Sequence, residues 1–338
     1  MKLVTPKAPI AHKPRADDFG VIEKDAPSCP EGSVLIEVIY ASLDPYIGSM
    51  LRGRHMGEEP PAPMAEPVPS AILGVVSESR ADGLRPGAIV TTMSGAWQEV
   101  IAARPADLRV IERNDLPLAA YLSVLGMPGL TAWAGVTRLA RVTAGDTFLV
   151  DAAAGPVGGT AGQIARICGA ERVVGIAGGE DKCRIVTEEY GFDACIDYRR
   201  DGWRDRLAEA LPDGLTVFFE NVSAEMAMQA LSLAKPYARG ILCGLVDAYH
   251  DESRSQHPIN AGLMIGKRAQ LSGLVVYDFY PQWDEFLGEA QVWLRDGRLR
   301  PHHDIADGID ALPAQFEKLM DGQNRGKALV RFKEEPSR

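Results

Sequence analysis

No stretch of this 338-residue sequence stays apolar over the roughly 18 residues that span a bilayer, which argues against a transmembrane helix. The opening residues, MKLVTPKAPIAHKPRADD, lack the apolar core of a secretory signal. Cysteine is scarce. Cys29, Cys168, Cys183, Cys195 and Cys243 are odd in number, scattered and without a CxxC pair, a pattern of reduced thiols rather than a disulfide framework. Each reads as a small buried apolar residue. The expectation is a cytoplasmic protein. An excess of positive charge is missing too: Lys and Arg number 36 against 46 Asp and Glu, a net charge of −10. Basic pairs such as Arg199-Arg200 are isolated and flanked by acids, so neither nucleic acid nor a membrane is an expected partner. Internal repeats and low-complexity tracts are absent.

What is present is a globular composition, 46% hydrophobic and 24% charged, in a chain long enough for two domains. The proline-rich stretch 58–69 (EEPPAPMAEPVP) fits neither a helix nor a central strand and reads as a long surface loop. Up to about residue 125, short apolar runs broken by Gly and Pro predict strands at 33–40, 71–78, 88–92 and 97–102, a β-rich domain. Beyond it the rhythm changes. Strands are predicted at 147–150, 172–176, 194–196, 216–220, 240–243 and 270–276, with helices at 158–168, 181–190, 201–210 and 224–233. Such alternation predicts βαβ units and a parallel, doubly wound sheet with helices on both faces; six strands is the full dinucleotide-binding number. From about residue 298 the elements shorten again, and 327–332 (KALVRF) reads as one more strand. The expected domains are therefore 1–125 completed by 298–338, and 126–297.

The loop AAAGPVGG, residues 152–159, follows the apolar strand FLVD and opens a helix. In that context a Gly-rich turn has a mechanical meaning: the helix N-terminus offers free N–H groups and a partial positive charge to a pyrophosphate. Ala154, Gly155, Pro156, Val157 and Gly158 are the candidate contacts. Gly155 is expected to make the tight turn, and Gly158 to keep the helix start open to the ligand. Pro156 suits a first helical turn, where its missing N–H has no partner to lose. The spelling is Ala-x-x-Gly-x-x-Gly, and small residues at such turns also serve packing alone. Specificity for NAD normally comes from an Asp or Glu at the tip of the second strand. Here that tip is Gly175-Ile176-Ala177-Gly178-Gly179, with no acid, followed by Lys182 and, after the third strand, Tyr198. That favours the 2′-phosphate of NADPH. Glu180 and Asp181 count against it, because either can be read as a displaced ribose acid, and Lys182 can also be a solvated first-turn side chain.

The segments Asp44-Pro45-Tyr46, LGMPGLT (125–131), AAAGPVGG, GIAGGEDK (175–182), FENV (219–222), Cys243-Gly244 with Tyr249, and NRGK (324–327) span nearly the whole chain. In them the sequence resembles the zinc-independent medium-chain dehydrogenase/reductases, in the branch of prostaglandin reductases, alkenal double-bond reductases and curcumin reductase. The resemblance implies a GroES-like β-rich domain, formed by both chain ends, around an inserted Rossmann domain, and a homodimer. It implies that Lys182 and Tyr198 hold the 2′-phosphate, that Asn221, Cys243 and Asn324 line the nucleotide, and that Leu274 and Val275 border the nicotinamide. The sequence departs from the family at Ser223-Ala224, where a glycine pair is usual, at Tyr249-His250 instead of Tyr-Asn, and at Ile47-Gly48 instead of Met-Arg. These departures bear on the substrate rather than the cofactor.

Catalytic zinc needs closely arranged Cys, His and carboxylate ligands, whereas the first 167 residues hold one Cys, Cys29, and two His, His12 and His55. His302-His303 sits in a polar stretch and reads as solvated. The chemistry expected without a Lewis acid is hydride delivery to the β-carbon of an enone or enal, with charge developing on the carbonyl oxygen. A tyrosine phenol is a suitable donor to that oxygen, since its ordinary pKa of about 10 keeps it protonated. By resemblance Tyr249 is the first candidate and Tyr46 the second, each with packing at a pocket rim as the alternative. His250 is a possible proton source or a surface residue; Tyr277, Tyr280, Met56 and Met64 are possible pocket walls. A quinone reductase and a redox-silent NADPH-binding protein of the crystallin kind are the competing readings, with a methyltransferase remote.

Overall fold

The computed structural model describes residues 1–53, 66–112, 114–244, 246–249 and 258–336. Its strands in chain order are β1 (Lys2–Pro6), β2 (Phe19–Glu23), β3 (Val34–Ser42), β4 (Pro69–Ser79), β5 (Ile89–Ala96), β6 (Val100–Ala103), β7 (Arg109–Ile111), β8 (Thr147–Val150), β9 (Arg172–Ala177), β10 (Ala194–Asp197), β11 (Leu215–Glu220), β12 (Ala234–Leu242), β13 (Gln270–Gly273), β14 (His303–Asp307) and β15 (Lys327–Arg331). The helices are α1 (Pro45–Met50), α2 (Met127–Trp133), α3 (Pro156–Ile167), α4 (Glu180–Arg184), α5 (Trp203–Ala210), α6 (Ala224–Ser232), α7 (Ala261–Lys267), α8 (Trp283–Arg295) and α9 (Leu312–Met320). None of the described helices is long and apolar enough to cross a membrane. The chain divides into two compact units, Met1–Leu122 with His303–Arg338, and Ser123–His302.

The first unit is a GroES-like β-rich body. Its main sheet runs β14-β15-β3-β4-β5-β7, with β6 also on β3 and β1-β2 as a separate pair. The strand near the chain end lies antiparallel to β3, Leu329 opposite Ser42 and Arg331 opposite Tyr40. Two distant stretches of sequence thus share one sheet. Beneath it, Phe19, Trp97 and Phe316 meet edge-on or tilted with ring centroids 5.2–6.0 Å apart, among buried Val4, Ile36, Ile47 and Val330. Lys327, 1% exposed, donates to the Leu43 carbonyl at 3.0 Å and to Asp44 Oδ1 at 2.5 Å, while Ser42 Oγ donates to Asp44 Oδ2. Burial pushes the Lys327 ammonium pKa down, opposed by the Asp44 charge. This ion pair joins the start of β15 to the start of α1.

The second unit is a Rossmann sheet of six parallel strands in the order β10-β9-β8-β11-β12-β13. That is the 3-2-1-4-5-6 winding, whose order reverses between β8 and β11. All four residues of β8 are buried, as a central strand covered on both faces requires. The small residues of α3 let it lie close to its neighbours: a Cβ on Gly162 would come within 1.9 Å of Phe192 Cζ, and one on Gly159 within 2.5 Å of Tyr190. Two strands depart from expectation. β12 begins six residues early, at Ala234; the polar AKPYAR, with Tyr237 at φ 69°, hides it from apolar patterning. β13 stops at Gly273, because its partner β12 ends at Leu242 and the ladder closes with Leu274 N–H on the Leu242 carbonyl. Residues 276–282 form a tight helical turn instead.

Removing one partner of a buried ion pair strands the other charge, at a cost of about 3–5 kcal/mol. Lys327→Met is therefore expected to lower the thermal midpoint sharply, and adding Asp44→Asn to restore part of the loss. An unchanged midpoint in the single variant would show the pair to be dispensable.

Candidate functional site

The chain leaves β8 at Val150 and turns through residues 151–155 into α3, with Gly155 as the residue before the helix and Pro156 in its first turn. The tight turn predicted at Gly155 falls elsewhere. Gly155 is ordinary extended backbone at φ −80°, and the left-handed residue is Ala152, at φ 44°. What Gly155 permits is close approach, since a Cβ there would lie 3.1 Å from the Ala152 carbonyl oxygen. Gly158 is under a harder constraint: its Cβ would lie 2.6 and 2.7 Å from the carbonyl oxygens of Ala152 and Asp151. It lets α3 seat directly on the end of β8. Ala154 and Gly158 are buried; Gly155, Pro156 and Val157 form the part-exposed lip. No side chain caps α3, and the N–H groups of Val157 and Gly158 have no acceptor among the described residues. These donors and the helix dipole make an anion site of the kind a pyrophosphate occupies.

The loop is continuous with a second patch at the tips of β9 and β10, because Ala153 N–H donates to the Ile176 carbonyl at 3.0 Å. There Gly178 lies against the Tyr198 ring, and a Cβ on it would reach ring atoms and the hydroxyl at 2.9 Å. Asp197 fixes the patch: its Oδ1 accepts from Gly179 N–H at 2.8 Å and from Arg199 N–H at 3.0 Å. Lys182 stands part-exposed in the first turn of α4, and Tyr198 is 48% exposed. Arg200 is engaged by Glu180 at 2.9 Å, whereas the Arg199 guanidinium, 6.0 Å from the Tyr198 ring centroid, makes no ion pair among the described residues. Sequence reading treated Arg199 only as an isolated surface cation; its place beside Tyr198 comes from the turn that Asp197 holds. Glu180, one of the two acids that complicated the choice of dinucleotide, is occupied by Arg200.

The third patch lies at the point of strand reversal, and sequence reading missed its central residues. Asp151 follows β8 and Glu220 ends β11; both are buried, at 4% and 3% exposure. Asp151 Oδ1 accepts from Asn221 N–H at 2.7 Å and from Asn221 Nδ2 at 3.3 Å. Glu220 Oε1 accepts from the N–H groups of Val222 and Ser223 at 2.7 and 2.6 Å, and its backbone carbonyl accepts from Cys243 N–H at 2.9 Å. Burial pushes the Glu220 carboxyl well above the ordinary carboxylate range, and the Asp151 charge pushes further in the same direction. Burial raises Asp151 too, and brings the Cys243 thiol up to about 12. The signal available beforehand was an acid closing each of two apolar strands, FLVD and FFE.

The remaining candidates are dispersed. Leu274 is buried, in a core that also holds Gly135 and Phe219, while Val275 is part-exposed. Tyr277 and Tyr280 stack edge-on at 6.0 Å, with Trp283 5.4 Å beyond. Asn324 and Tyr46 belong to the other unit: Asn324 is buried and donates to the Gly326 carbonyl at 2.8 Å, and Tyr46 sits part-buried on that unit's core. Tyr249 closes a short turn, Val246–Tyr249, and its side chain lies outside the described structure, as do His55, Met56, Met64 and His250. No group of three or more His, Cys, Asp or Glu that could hold a metal occurs among the described residues, so no ligand set there fits zinc.

Residues 156–291 match the family model of zinc-binding dehydrogenases, and residues 5–111 that of the N-terminal domain of oxidoreductases. The chain is 34% identical to the NADPH-dependent curcumin reductase of Escherichia coli, over 94% of this chain and 93% of that one. It is 32% identical to the 2-alkenal reductase (NADP(+)-dependent) of Nicotiana tabacum, over 89% and 88%. The crystal structure of CurA from Vibrio vulnificus in complex with NADPH superposes with a TM-score of 0.91 at 28% identity, over 99% of this chain and all of that one.

A carboxyl whose pKa is raised by folding holds a proton that the unfolded chain has released. Its contribution to stability is therefore full below the unfolded value, about 4.3 for Glu, and is lost as pH climbs toward the folded value. The wild-type thermal midpoint is expected to fall across that window more steeply than that of Glu220→Gln, which mimics the protonated acid. Equal slopes would show that Glu220 is ionised in the fold.

Proposed function

The chain belongs to the medium-chain dehydrogenase/reductase family, in the branch of curcumin, alkenal and prostaglandin reductases, and on that premise we propose that it reduces the carbon–carbon double bond of α,β-unsaturated ketones or aldehydes with NADPH. The observation that carries this reading is the patch of Gly178, Lys182 and Tyr198 at the β9–β10 tips, where Glu180 is paired with Arg200 and Asp181 with Arg184. Ser123–His302 then acts as the dinucleotide domain and the other unit as the substrate domain. The N–H groups of Val157 and Gly158 hold the pyrophosphate. Lys182 and Tyr198 hold the 2′-phosphate, Asn221, Cys243 and Asn324 line the nucleotide, and Leu274-Val275 borders its nicotinamide.

When bound, the cofactor supplies the hydride that the substrate β-carbon accepts. The protein's share is orientation and polarity. Tyr249, with Tyr46 as the second candidate, donates a hydrogen bond to the substrate carbonyl oxygen as it gains charge. A fixed donor of this kind contributes roughly 3–4 kcal/mol. A homodimer belongs to the same reading, supported by β13 at the sheet edge and by the exposure of Ile259 and Ile265 in the segment before it.

The test follows loss of the reduced-nicotinamide absorbance with an enone, a 2-alkenal and a quinone, using NADPH and NADH. Turnover of the enone or alkenal with NADPH preferred is expected; turnover of the quinone alone would replace the proposed substrate class. Lys182→Ala should raise the KM for NADPH about tenfold or more, as loss of a charged hydrogen bond implies, and leave that for NADH unchanged. Tyr249→Phe should lower kcat roughly 10²–10³-fold with little effect on NADPH binding. Equal turnover in that variant removes Tyr249 from the mechanism.

A further inference from the structure

The turn that leaves β10 carries two side chains back over the turn that leaves β9. Asp197 ends β10, and the Arg200 N–H closes onto its carbonyl at 3.2 Å, so Tyr198 and Arg199 are the central residues of a tight turn. The Asp197 carboxyl fixes both turns at once. Its Oδ1 accepts from Arg199 N–H at 3.0 Å and, across the gap between the strands, from Gly179 N–H at 2.8 Å. Gly179 stands at φ 103°, a conformation that glycine alone adopts without strain. The Tyr198 ring lies against Gly178, while Arg199 Nη1 lies 3.8 Å from the place of a Cβ on Gly179. The Arg199 guanidinium therefore reaches toward the neighbouring turn, 6.0 Å from the Tyr198 ring centroid, and Lys182 follows in the first turn of α4.

The carboxylates of these turns are already partnered. Glu180 accepts from Arg200 at 2.9 Å and Asp181 from Arg184 at 3.1 Å. Asp197 accepts the two N–H groups on Oδ1, and Arg200 Nε stands 3.6 Å from its Oδ2. Arg184 and Arg200 are thus engaged within the patch. Arg199 is exposed and makes no ion pair among the described residues. An arginine surrounded by acids but left out of their pairing keeps its planar fork of N–H donors for another anion. The group that fits such a fork on a nucleotide is a phosphate.

We propose that Arg199 is a third ligand of the cofactor 2′-phosphate, and that Asp197 is the positioning residue that aims it. The proposal rests on the NADPH reading above. Lys182 supplies a point charge and Tyr198 one hydroxyl; Arg199 adds two parallel hydrogen bonds, and the two cations together match a dianion. Preference for NADPH over NADH is then shared between Lys182 and Arg199, so that neither substitution alone abolishes it.

The experiment titrates the intact protein with NADPH, NADH and adenosine 2′,5′-bisphosphate. Arg199→Ala should weaken NADPH and the bisphosphate about tenfold and leave NADH unchanged. Adding Lys182→Ala should narrow the preference further than either change alone. Arg204→Ala, which removes an exposed arginine paired with Glu225 at 3.0 Å, controls for loss of charge and should alter none of the three. Asp197→Ala should raise the KM for NADPH without lowering kcat. Asp197→Asn, which keeps Oδ1 as an acceptor, should recover most of that loss. In the Arg199→Ala background Asp197→Ala should add less than it does alone, because the two act through one contact. Equal weakening of NADPH and NADH in Arg199→Ala would make the turn merely structural. Unchanged affinity for the bisphosphate, or the same loss in Arg204→Ala, would make Arg199 a solvated surface charge. Either result overturns the proposal, and Arg199→Ala decides it alone should Asp197→Ala fail to fold. A loss in Lys182→Ala with none in Arg199→Ala would overturn this inference and leave the NADPH reading standing. Wild-type protein that binds NADPH no better than NADH would overturn both.

Discussion

One carboxyl group, that of Asp151, ties the two halves of the Rossmann sheet together at the point where the strand order reverses. Strand β8 turns off into α3 and strand β11 turns off into α6, so the backbone ladder between them ends there. The Asn221 N–H would be left buried without a partner; Asp151 Oδ1 supplies one at 2.7 Å. The same seam carries the close approach of Gly158 to the Asp151 carbonyl, 2.7 Å for a Cβ that is not there. A side chain at 158 would lift the helix, and a missing acid at 151 would release the β11 loop. The free N–H groups of the α3 first turn keep their direction because both constraints hold.

The cost of such a device is the burial of charge. Unpaired, a carboxylate in that position would be expelled or neutralised. Burial pushes both carboxyls upward in pKa, and backbone N–H groups donate to each of them. The β-rich unit solves a similar problem by the opposite means: Lys327 is buried as a cation against Asp44, with the Leu43 carbonyl as its second acceptor. In both units a charged side chain joins segments distant in sequence at the termini of their strands. Lys327 and Asp44 are 283 residues apart in sequence, and Asp151 and Asn221 are 70 apart.

The six Rossmann strands and four of the five helices between them, all but α7, were legible because a parallel sheet covered on both faces leaves apolar runs such as TFLV with turns between. Strand β12 was partly hidden, since its first residues, AKPYAR, carry too much polarity for periodicity to register. The phosphate loop was legible by spelling, but the duty of each glycine was not. Turn strain fell on Ala152 and close contact on Gly158, because the path of a loop is settled by the carbonyls it must avoid. In the site, Lys182 and Tyr198 were marked by the missing acid at the strand tip and by resemblance, and Gly178 turned out to touch the Tyr198 ring. Arg199 was passed over because nothing local marks one arginine of a pair as tied up by Glu180 and its neighbour as not.

By itself the sequence determined the fold class, a βαβ alternation behind a glycine-rich turn, and the missing acid after the second strand that set the choice of dinucleotide. Both are local properties: hydrophobic period and the presence or absence of one charge at a strand tip. The tertiary structure decided which acids are buried, which backbone N–H groups meet them, and which way the Asn221 amide faces. Those depend on desolvation and on partners brought together from strands distant in sequence, and no window along the chain contains both members of the pair.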